Sequence, residues 1–222
     1  MKRRAVTALL AAACVPGLVD FAVAKPAAEL TADALADRVQ EFYDKTKTFK
    51  AGFDQVFYVR SQDVYKKSKG QVVFQKPGKM SWRYSSNGNR VVSDGKIVKV
   101  FEKDNKQMYE QAIDKSAYPA ALSFLVGGGS LRKEFKLKKL EAKQLNFEGG
   151  YVLLAVPKKP TAAYQKMLLY VDAGTYQVRR VLILDAQGNR NRFDFVKPSV
   201  NVPVLPAEFD FRPPPGTQLV KP

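Results

Sequence analysis

Hydrophobic and polar residues alternate through a long segment that begins near residue 49. Phe49, Phe53 and Phe57 occupy odd positions, whereas Lys50 and Asp54 lie at even positions between them. Successive side chains of a strand point to opposite faces of its sheet, so a period of two is typical of a strand with one buried face. The pattern therefore predicts a long first strand with an aromatic face.

Shorter segments with the same alternation follow in two series. The first series predicts strands at 70–75, 80–84, 90–93, 96–102 and 107–113. The second series predicts strands at 135–140, 151–156, 166–171, 177–185 and 190–196. An antiparallel sheet of about ten strands tends to curl or close, because curling removes exposed edges. We therefore expect a mainly β fold in which helices lie against a curled sheet.

The connections between these segments carry turn signals. Asp94-Gly95 predicts a two-residue type I′ hairpin, because glycine accepts the positive φ that this turn requires. Ala173-Gly174 marks a further turn. Short connections of this kind predict a meander of neighbouring strands.

Two other segments follow a helical pattern. Thr31 can cap a helix in which Leu35, Val39 and Phe42 form one apolar stripe. The segment 117–126 is apolar, carries a proline near its start and is followed by three glycines. This pattern favours a short helix with a flexible exit between the two series of strands.

Residues 1–24 have the features of a secretory signal peptide. Met1 is followed by three basic residues, an uncharged apolar stretch covers 5–15, and Ala22-Val23-Ala24 supplies the small residues of a cleavage site. No later stretch reaches the roughly 20 apolar residues that a membrane span needs. We expect cleavage after Ala24 and release of a single soluble domain, residues 25–222, outside the cytoplasm.

Cys14 leaves an alternative open, because a lipidated cysteine at this point would make the chain an anchored lipoprotein. Residues 11–13 are all alanine, without the large aliphatic residue usually found three places before a lipidated cysteine. We therefore favour cleavage after Ala24. That cleavage removes the only cysteine and leaves the domain without a disulfide.

Composition narrows the functional classes. The chain has no histidine, which excludes Ser-His-Asp and Cys-His nucleophilic systems and most zinc and copper sites. Carboxylate-based and lysine-based enzymes pass this filter, so a histidine-free hydrolase is the enzyme alternative. Because the sequence shows no nucleophile with its base, we predict no catalytic residue, no metal and no cofactor. The formal charge of +16 falls to +14 after cleavage, because three cations and one anion are removed.

This positive charge predicts attraction to anionic surfaces. For an exported chain these are lipid headgroups, lipopolysaccharide or an acidic partner protein rather than nucleic acid. The alternative is that lysine-rich strand faces are simply solvated and discourage edge pairing.

Three stretches of the chain carry a family resemblance. They are GQVVFQKPGKMSWRY at 70–84, VVSDGK at 91–96 and FDFRPPPG at 209–216. In this order they resemble the LolA family, periplasmic carriers that take lipoproteins from the inner to the outer membrane of Gram-negative bacteria. The resemblance covers nearly all of the mature chain. It implies an unclosed antiparallel β-barrel, or half-barrel, covered by an α-helical lid.

The resemblance also implies that acyl chains of the cargo bind in an apolar cavity between sheet and lid. Side chains of the first and third predicted strands and of segment 117–126 are the candidate lining: Phe53, Phe57, Met80, Trp82, Tyr84, Leu122, Phe124 and Leu125. For each residue alone, a place in a solid core is the alternative. The implied partners are acylated lipoproteins, the inner-membrane lipoprotein-releasing ABC transporter complex and, where one exists, an outer-membrane acceptor. A monomer is expected.

Lys76 departs from the family pattern. The family usually has arginine before this proline, where it bonds to the lid backbone and helps to set the closed state. Lysine offers fewer and less directional donors, so Lys76 is a candidate for altered lid control. Lys76, Lys79 and Arg83, near the expected mouth of the cavity, are candidates for contact with lipid headgroups or an acidic receptor. For each residue alone, a solvated position on the surface is the favoured interpretation.

Alternatives to a free carrier stay open. One keeps the fold and makes the chain a lipid-anchored acceptor similar to LolB, or an envelope lipid or stress sensor with a similar half-barrel. The other is a basic module that binds lipopolysaccharide or another polyanion. Binding by such a module would fall steeply with salt and would ignore acyl length.

Overall fold

The computed structural model describes residues 30–113, 129–161 and 163–220, and in these ranges one sheet holds twelve strands. The first six are β1 (Thr48–Val59), β2 (Val64–Gln75), β3 (Lys79–Tyr84), β4 (Arg90–Asp94), β5 (Ile97–Glu102) and β6 (Gln107–Ala112). The others are β7 (Phe135–Leu140), β8 (Gly150–Pro157), β9 (Lys166–Asp172), β10 (Val178–Leu184), β11 (Arg190–Val200) and β12 (Gln218–Val220). The described α-helices are α1 (Ala32–Asp44) and α2 (Leu131–Glu134).

The sheet is an open meander. Its strand order is β12-β6-β5-β4-β3-β2-β1-β11-β10-β9-β8-β7, in which β12 pairs in parallel with β6 and the other neighbours are antiparallel. Long β1 joins the two halves, because it pairs with β2 on one side and with β11 on the other. Within the described residues β12 and β7 stand at opposite ends of the order. The predicted mainly β, unclosed sheet is therefore confirmed.

Helix α1 lies on one face of the sheet, which we call the concave face; the opposite face is the convex face. The Oγ1 atom of Thr31 accepts a hydrogen bond from the N–H of Ala34 at 3.1 Å, so the predicted cap is confirmed. Val39 and Tyr43 are fully buried, whereas Phe42 is half-buried. The predicted stripe is therefore correct except at its last position, where Tyr43 faces the sheet instead.

The structure corrects the predicted hairpin at Asp94-Gly95. Gly95 has a φ of +100°, as expected, but Asp94 does not have the positive φ that a type I′ turn requires at both central residues. The Asp94 carboxylate instead accepts hydrogen bonds from the N–H groups of Lys96 at 2.8 Å and Ile97 at 2.9 Å. The aspartate thus stabilises a longer connection through its side chain.

The aspartates of two turns should make folding sensitive to acid. Hydrogen bonds from the N–H of Ile97 to Asp94 and from the hydroxyl of Thr175 to Asp172 hold the pKa of both carboxyls below the usual 3.8. Because each folded pKa lies below the unfolded pKa, the stabilisation is complete above about pH 4 and is lost as pH falls through the folded pKa. We expect the Tm of the double variant Asp94→Asn/Asp172→Asn to fall less than the Tm of wild type when the pH is lowered below about 4. Asp104→Asn, in an exposed turn, is the control and should follow wild type; parallel curves for all three proteins would contradict the assignment.

The C-terminal segment crosses the convex face. Phe209 is buried there, with the Nζ atom of Lys79 5.8 Å from its ring centroid. Glu208 forms an ion pair with Arg83. The predicted role of Lys79 and Arg83 at a cavity mouth is therefore wrong, because both side chains lie on the convex face and contact the C-terminal segment. The motif at 209–216 thus packs a terminal segment onto the sheet.

Phe211 should contribute measurably to this packing. Its ring centroid lies 5.5 Å from that of Phe101, and the Cζ atom of Arg90 lies 5.0 Å above it. Phe211→Ala should lower the free energy of unfolding by about 1–2 kcal/mol, from partial apolar burial and the lost aromatic pair. Denaturant titration measures the change. Leu205→Ala is the matched control, since Leu205 is 78% exposed; equal losses in both variants would argue against the contact.

Some predictions fall outside the described residues. They are the signal peptide at 1–24, the alternative role of Cys14 and the helix at 117–126. In the described ranges neither helix has the length and apolar character needed to cross a bilayer.

Candidate functional site

An aromatic cluster occupies the middle of the concave face. The ring centroids of Phe53 and Trp82 lie 5.0 Å apart, and that of Phe193 lies 6.2 Å from Phe53 and 5.1 Å from Trp82. Trp82 is 1% exposed and Phe53 is 2% exposed. Because β1 stands between β2 and β11, it brings aromatic side chains of both halves of the chain together. The centre of the concave face is therefore apolar and closely packed.

Gly70 makes room for this cluster. It lies opposite Phe53 of β1 and Tyr84 of β3. A Cβ atom at Gly70 would lie 1.9 Å from the backbone oxygen of Arg83 and 2.9 Å from the Phe53 ring. Both distances are shorter than normal contact, so the ring of Phe53 can lie over β2 at this point only because the residue beneath it is glycine.

The predicted lining residues fall into two groups. Phe53, Met80 and Trp82 are buried together in the concave core. Tyr84 is half-buried and its ring centroid lies 5.1 Å from that of Phe53. Phe57 shares the face by alternation, lies nearer the β1–β2 hairpin and is also half-buried. The first group is thus packed in the core, and the second lies at the more accessible end of the concave face.

Amide groups accompany Phe57 at this end of the face. Asn191 lies opposite Phe57 and accepts a hydrogen bond from the Nε2 atom of Gln55 at 2.8 Å. The two amides satisfy one another, which lowers the cost of placing them beside apolar side chains. This end of the concave face therefore offers both apolar and polar surface.

Three predicted residues, Leu122, Phe124 and Leu125, lie outside the described residues. The described cover of the concave face is α1, joined by α2.

Lys76 connects the β2–β3 turn to α1. Its Nζ atom donates a hydrogen bond to the backbone oxygen of Tyr43, at the end of the helix. The Tyr43 hydroxyl accepts a hydrogen bond from the N–H of Val178 at 3.1 Å. Partial burial lowers the pKa of the Lys76 ammonium, and the Asp44 carboxylate opposes that shift. Lys76 and Tyr43 thus fix the C-terminal end of α1 to both halves of the sheet.

Sequence reasoning missed the contribution of the second half of the chain. Buried apolar residues there complete the concave face: Met167, Leu169, Val181, Phe193 and Phe195. In β11, Phe193 and Phe195 alternate with Arg192 and Asp194, and this alternation is a signal that could have identified the two phenylalanines. In β9 every residue from 167 to 171 is buried, so alternation cannot assign a face there.

Acidic side chains are the remaining candidates for metal binding in the described ranges, because the chain has no histidine. In the ranges that the structure covers, no three Asp, Glu or Cys side chains gather in a way that could hold a metal ion. Asp94 and Asp172, two of the carboxylates with a lowered pKa, are both engaged in turns. The notable chemical feature of the concave face is its apolar surface.

Comparison with solved structures finds a protein of similar fold. An uncharacterised conserved protein from Thermus thermophilus superposes with a TM-score of 0.52 at 15% identity, covering 86% of this chain and 99% of the other. At this level of identity the similarity shows the fold alone.

Comparison of sequences identifies the family. The family model described as "Outer membrane lipoprotein carrier protein LolA" matches residues 44–212. A protein of Methylibium petroleiphilum named outer-membrane lipoprotein carrier protein is 30% identical over 85% of this chain and 90% of its own length. A protein of the same name from Cupriavidus necator is 27% identical over 96% of this chain and 98% of its own length. This chain therefore belongs to the LolA family.

Proposed function

We propose that this protein is a periplasmic chaperone that carries lipoproteins from the inner to the outer membrane with their acyl chains bound on the concave face. Membership of the LolA family supports the lipoprotein carrier role. The observation that carries the proposal for the site is the apolar core on the concave face of an open sheet, in which Phe53, Met80 and Trp82 pack together with Tyr84 against them. Phe57 lies on the same face of β1, beyond Gln55, and is half-buried. As a carrier, the protein needs no catalytic residue.

Acyl chains need such a face because water does not accommodate them. Each methylene exposed to water costs about 0.8 kcal/mol relative to a buried one. An open sheet can present a wide apolar surface without closing over it, and the side chains of methionine and leucine adapt to chains of different length. The apolar side chains of the concave face pack against one another, so bound acyl chains must replace existing contacts. This replacement would make the affinity for acyl chains moderate. Moderate affinity in turn permits release.

The site has a floor and an accessible end in this proposal. Phe53, Met80 and Trp82 form the floor, and Tyr84 and Phe57 line the end where acyl chains enter. The amide pair beside Phe57 is suited to the polar linkage that follows the acyl chains in a lipoprotein. The predicted lining from 117–126, Leu122, Phe124 and Leu125, would complete the site.

In this proposal Lys76 controls how the site is covered, because it contacts the end of α1. Its hydrogen bond to the backbone oxygen of Tyr43 supports this role. Loosening of this bond would accompany opening. The donor of cargo would be the inner-membrane lipoprotein-releasing ABC transporter complex, and an outer-membrane acceptor would receive it. Residues 1–24 would serve as the export signal, which an N-terminal mass of the mature protein starting at Lys25 would support.

Photo-crosslinking in living cells tests the proposed site. A photoreactive amino acid at Phe57 should trap acylated lipoproteins, because this position lies at the accessible end of the concave face. The matched control is the same amino acid at Lys50, an exposed position of β1 on the convex face. Recovery of lipoproteins from Phe57 but not from Lys50 is the expected result. Recovery of none from Phe57, or equal recovery from both, would refute the site.

A further inference from the structure

A groove with a cavity volume of about 290 Å³ lies on the convex face, on the side of the sheet away from the aromatic cluster. Three arginines and three tyrosines line it: Tyr58, Tyr65, Tyr170, Arg180, Arg190 and Arg192. We call it the arginine–tyrosine groove. Its residues come from β1, β2, β9, β10 and β11, so the groove forms only when the two halves of the chain pair through β1 and β11.

Positive charge exceeds negative charge in this groove. The Asp194 carboxylate pairs with both Arg180 and Arg192. The Nε atom of Arg192 lies 2.9 Å from the Oδ2 atom of Asp194 but makes no hydrogen bond. Among the described residues, Arg190 pairs with no carboxylate and donates instead to the hydroxyl of Tyr65 at 3.4 Å. The hydroxyl of Tyr58 also donates to the Asp63 carboxylate at 2.9 Å. Asp54 of β1 lies opposite Asp194, whereas Lys67 lies opposite Val56 of the groove. Four cations therefore face three carboxylates in and around the groove.

Aromatic rings hold two of these guanidinium groups in place. The Cζ atom of Arg190 lies 4.4 Å from the ring centroid of Tyr58, and that of Arg180 lies 5.1 Å from the ring centroid of Tyr170. A guanidinium that lies over a ring keeps its N–H groups free at its edge. Fixed guanidinium groups of this kind bind phosphate oxygens in a bidentate manner. The groove thus has the chemistry of a phosphate site.

The groove opens beside an amphipathic hairpin tip. Val64 is 42% exposed and Tyr65 is 58% exposed, at the β1–β2 hairpin. Arg60 and Lys67 of the same hairpin are also exposed. Tyrosine favours the membrane–water interface, where its ring lies at the level of the headgroups. Exposed basic residues add attraction to an anionic bilayer.

We infer that the arginine–tyrosine groove binds the phosphate headgroup of an anionic phospholipid while the lipid remains in a bilayer. Arg190, which lies over the Tyr58 ring, contacts the phosphate together with Arg192, whose side chain is 44% exposed against 26% for Arg180. Val64 and Tyr65 lie in the interfacial layer. This contact goes beyond carriage of acyl chains. It uses the convex face, so the protein can touch a membrane surface while the concave face holds cargo.

Vesicle co-sedimentation with the full mature chain tests this inference. Vesicles of phosphatidylcholine mixed with phosphatidylglycerol should bind the wild type, and vesicles of phosphatidylcholine alone should bind it weakly. Arg190→Gln/Arg192→Gln should weaken binding to the mixed vesicles roughly twentyfold, since each basic residue near an anionic surface contributes roughly fivefold. The control Lys136→Gln/Lys138→Gln removes two exposed charges elsewhere on the sheet. It should bind within about twofold of wild type.

Three results would overturn the inference. Equal losses of binding in the two double variants would show that the positive charge acts without a defined site. Equal binding of wild type to both vesicle types would show a contact independent of phospholipid charge, and binding of soluble glycerol phosphate as tight as that of the mixed vesicles would show a site for a small soluble ester. Thermal unfolding of each variant checks that it is folded. Crosslinking of lipoproteins from Phe57 should persist in Arg190→Gln/Arg192→Gln, so this inference and the carrier function can fail separately.

Discussion

Replacing Trp82 with alanine is expected to lower the free energy of unfolding by about 3–5 kcal/mol, the usual cost of removing a buried aromatic side chain. Trp82 contacts Phe53 and Phe193, and also Phe74 at 5.7 Å between ring centroids. The vacated space lies where strands of both halves meet, and those strands cannot all move to fill it. Denaturant titration followed by circular dichroism measures the change.

Two further variants separate this packing effect from a general effect of losing an aromatic residue. Trp82→Phe keeps a ring in the cluster and should lose clearly less stability than Trp82→Ala. Tyr65→Ala removes an aromatic side chain that is 58% exposed and whose ring centroid lies 4.7 Å from that of Tyr58. A cross-strand pair of this kind contributes up to about 1 kcal/mol, well below the loss expected for Trp82→Ala. Similar losses for Trp82→Ala and Tyr65→Ala would contradict a packed concave core.

Phe57→Asp is expected to weaken binding of a triacylated lipopeptide by about thirtyfold while the protein stays folded. The estimate follows from losing about 2 kcal/mol of apolar contact with the ligand. Phe57 is half-buried, so the fold should tolerate the change better than it tolerates changes at Phe53. Fluorescence titration with a labelled lipopeptide measures the affinity.

The matched control for this variant is Gln71→Asp, which adds the same charge at an exposed position on the convex face. It should bind the lipopeptide as wild type does. Phe57→Leu, which keeps an apolar side chain, should retain most of the affinity. If Phe57→Asp and Gln71→Asp weakened binding equally, the effect would come from net charge, and the assignment of Phe57 to the acyl site would be wrong.

Alternation predicted most strands because it reports burial on one face, and it failed where tertiary pairing alone makes the strand. Residues 64–69 of β2 are mostly polar and exposed, yet β2 begins at Val64 because it pairs with β1 up to Val59. Strand β12 has three residues and depends on pairing with β6. Neither case leaves a periodic signal in the sequence.

The candidate site was predictable in part for the same reason. Alternation places Phe53 on one face of β1, and the family resemblance selects Met80 and Trp82, which the structure brings together with it. Local patterns cannot show that Tyr58 meets Arg190, because these residues are far apart in the chain and meet only through the pairing of β1 with β11. Sequence therefore revealed the apolar face but not the groove behind it.

The affinity of the purified mature chain for synthetic lipopeptides tests most directly the claim that the concave face carries acyl chains through water. The lipopeptides share one peptide and differ in acyl length, and each is titrated at low and high salt. Affinity should rise by up to about fourfold per added methylene, the factor that corresponds to about 0.8 kcal/mol, and should change little with salt. Affinity that ignores acyl length and falls steeply with salt would contradict the claim and indicate a polyanion-binding module instead.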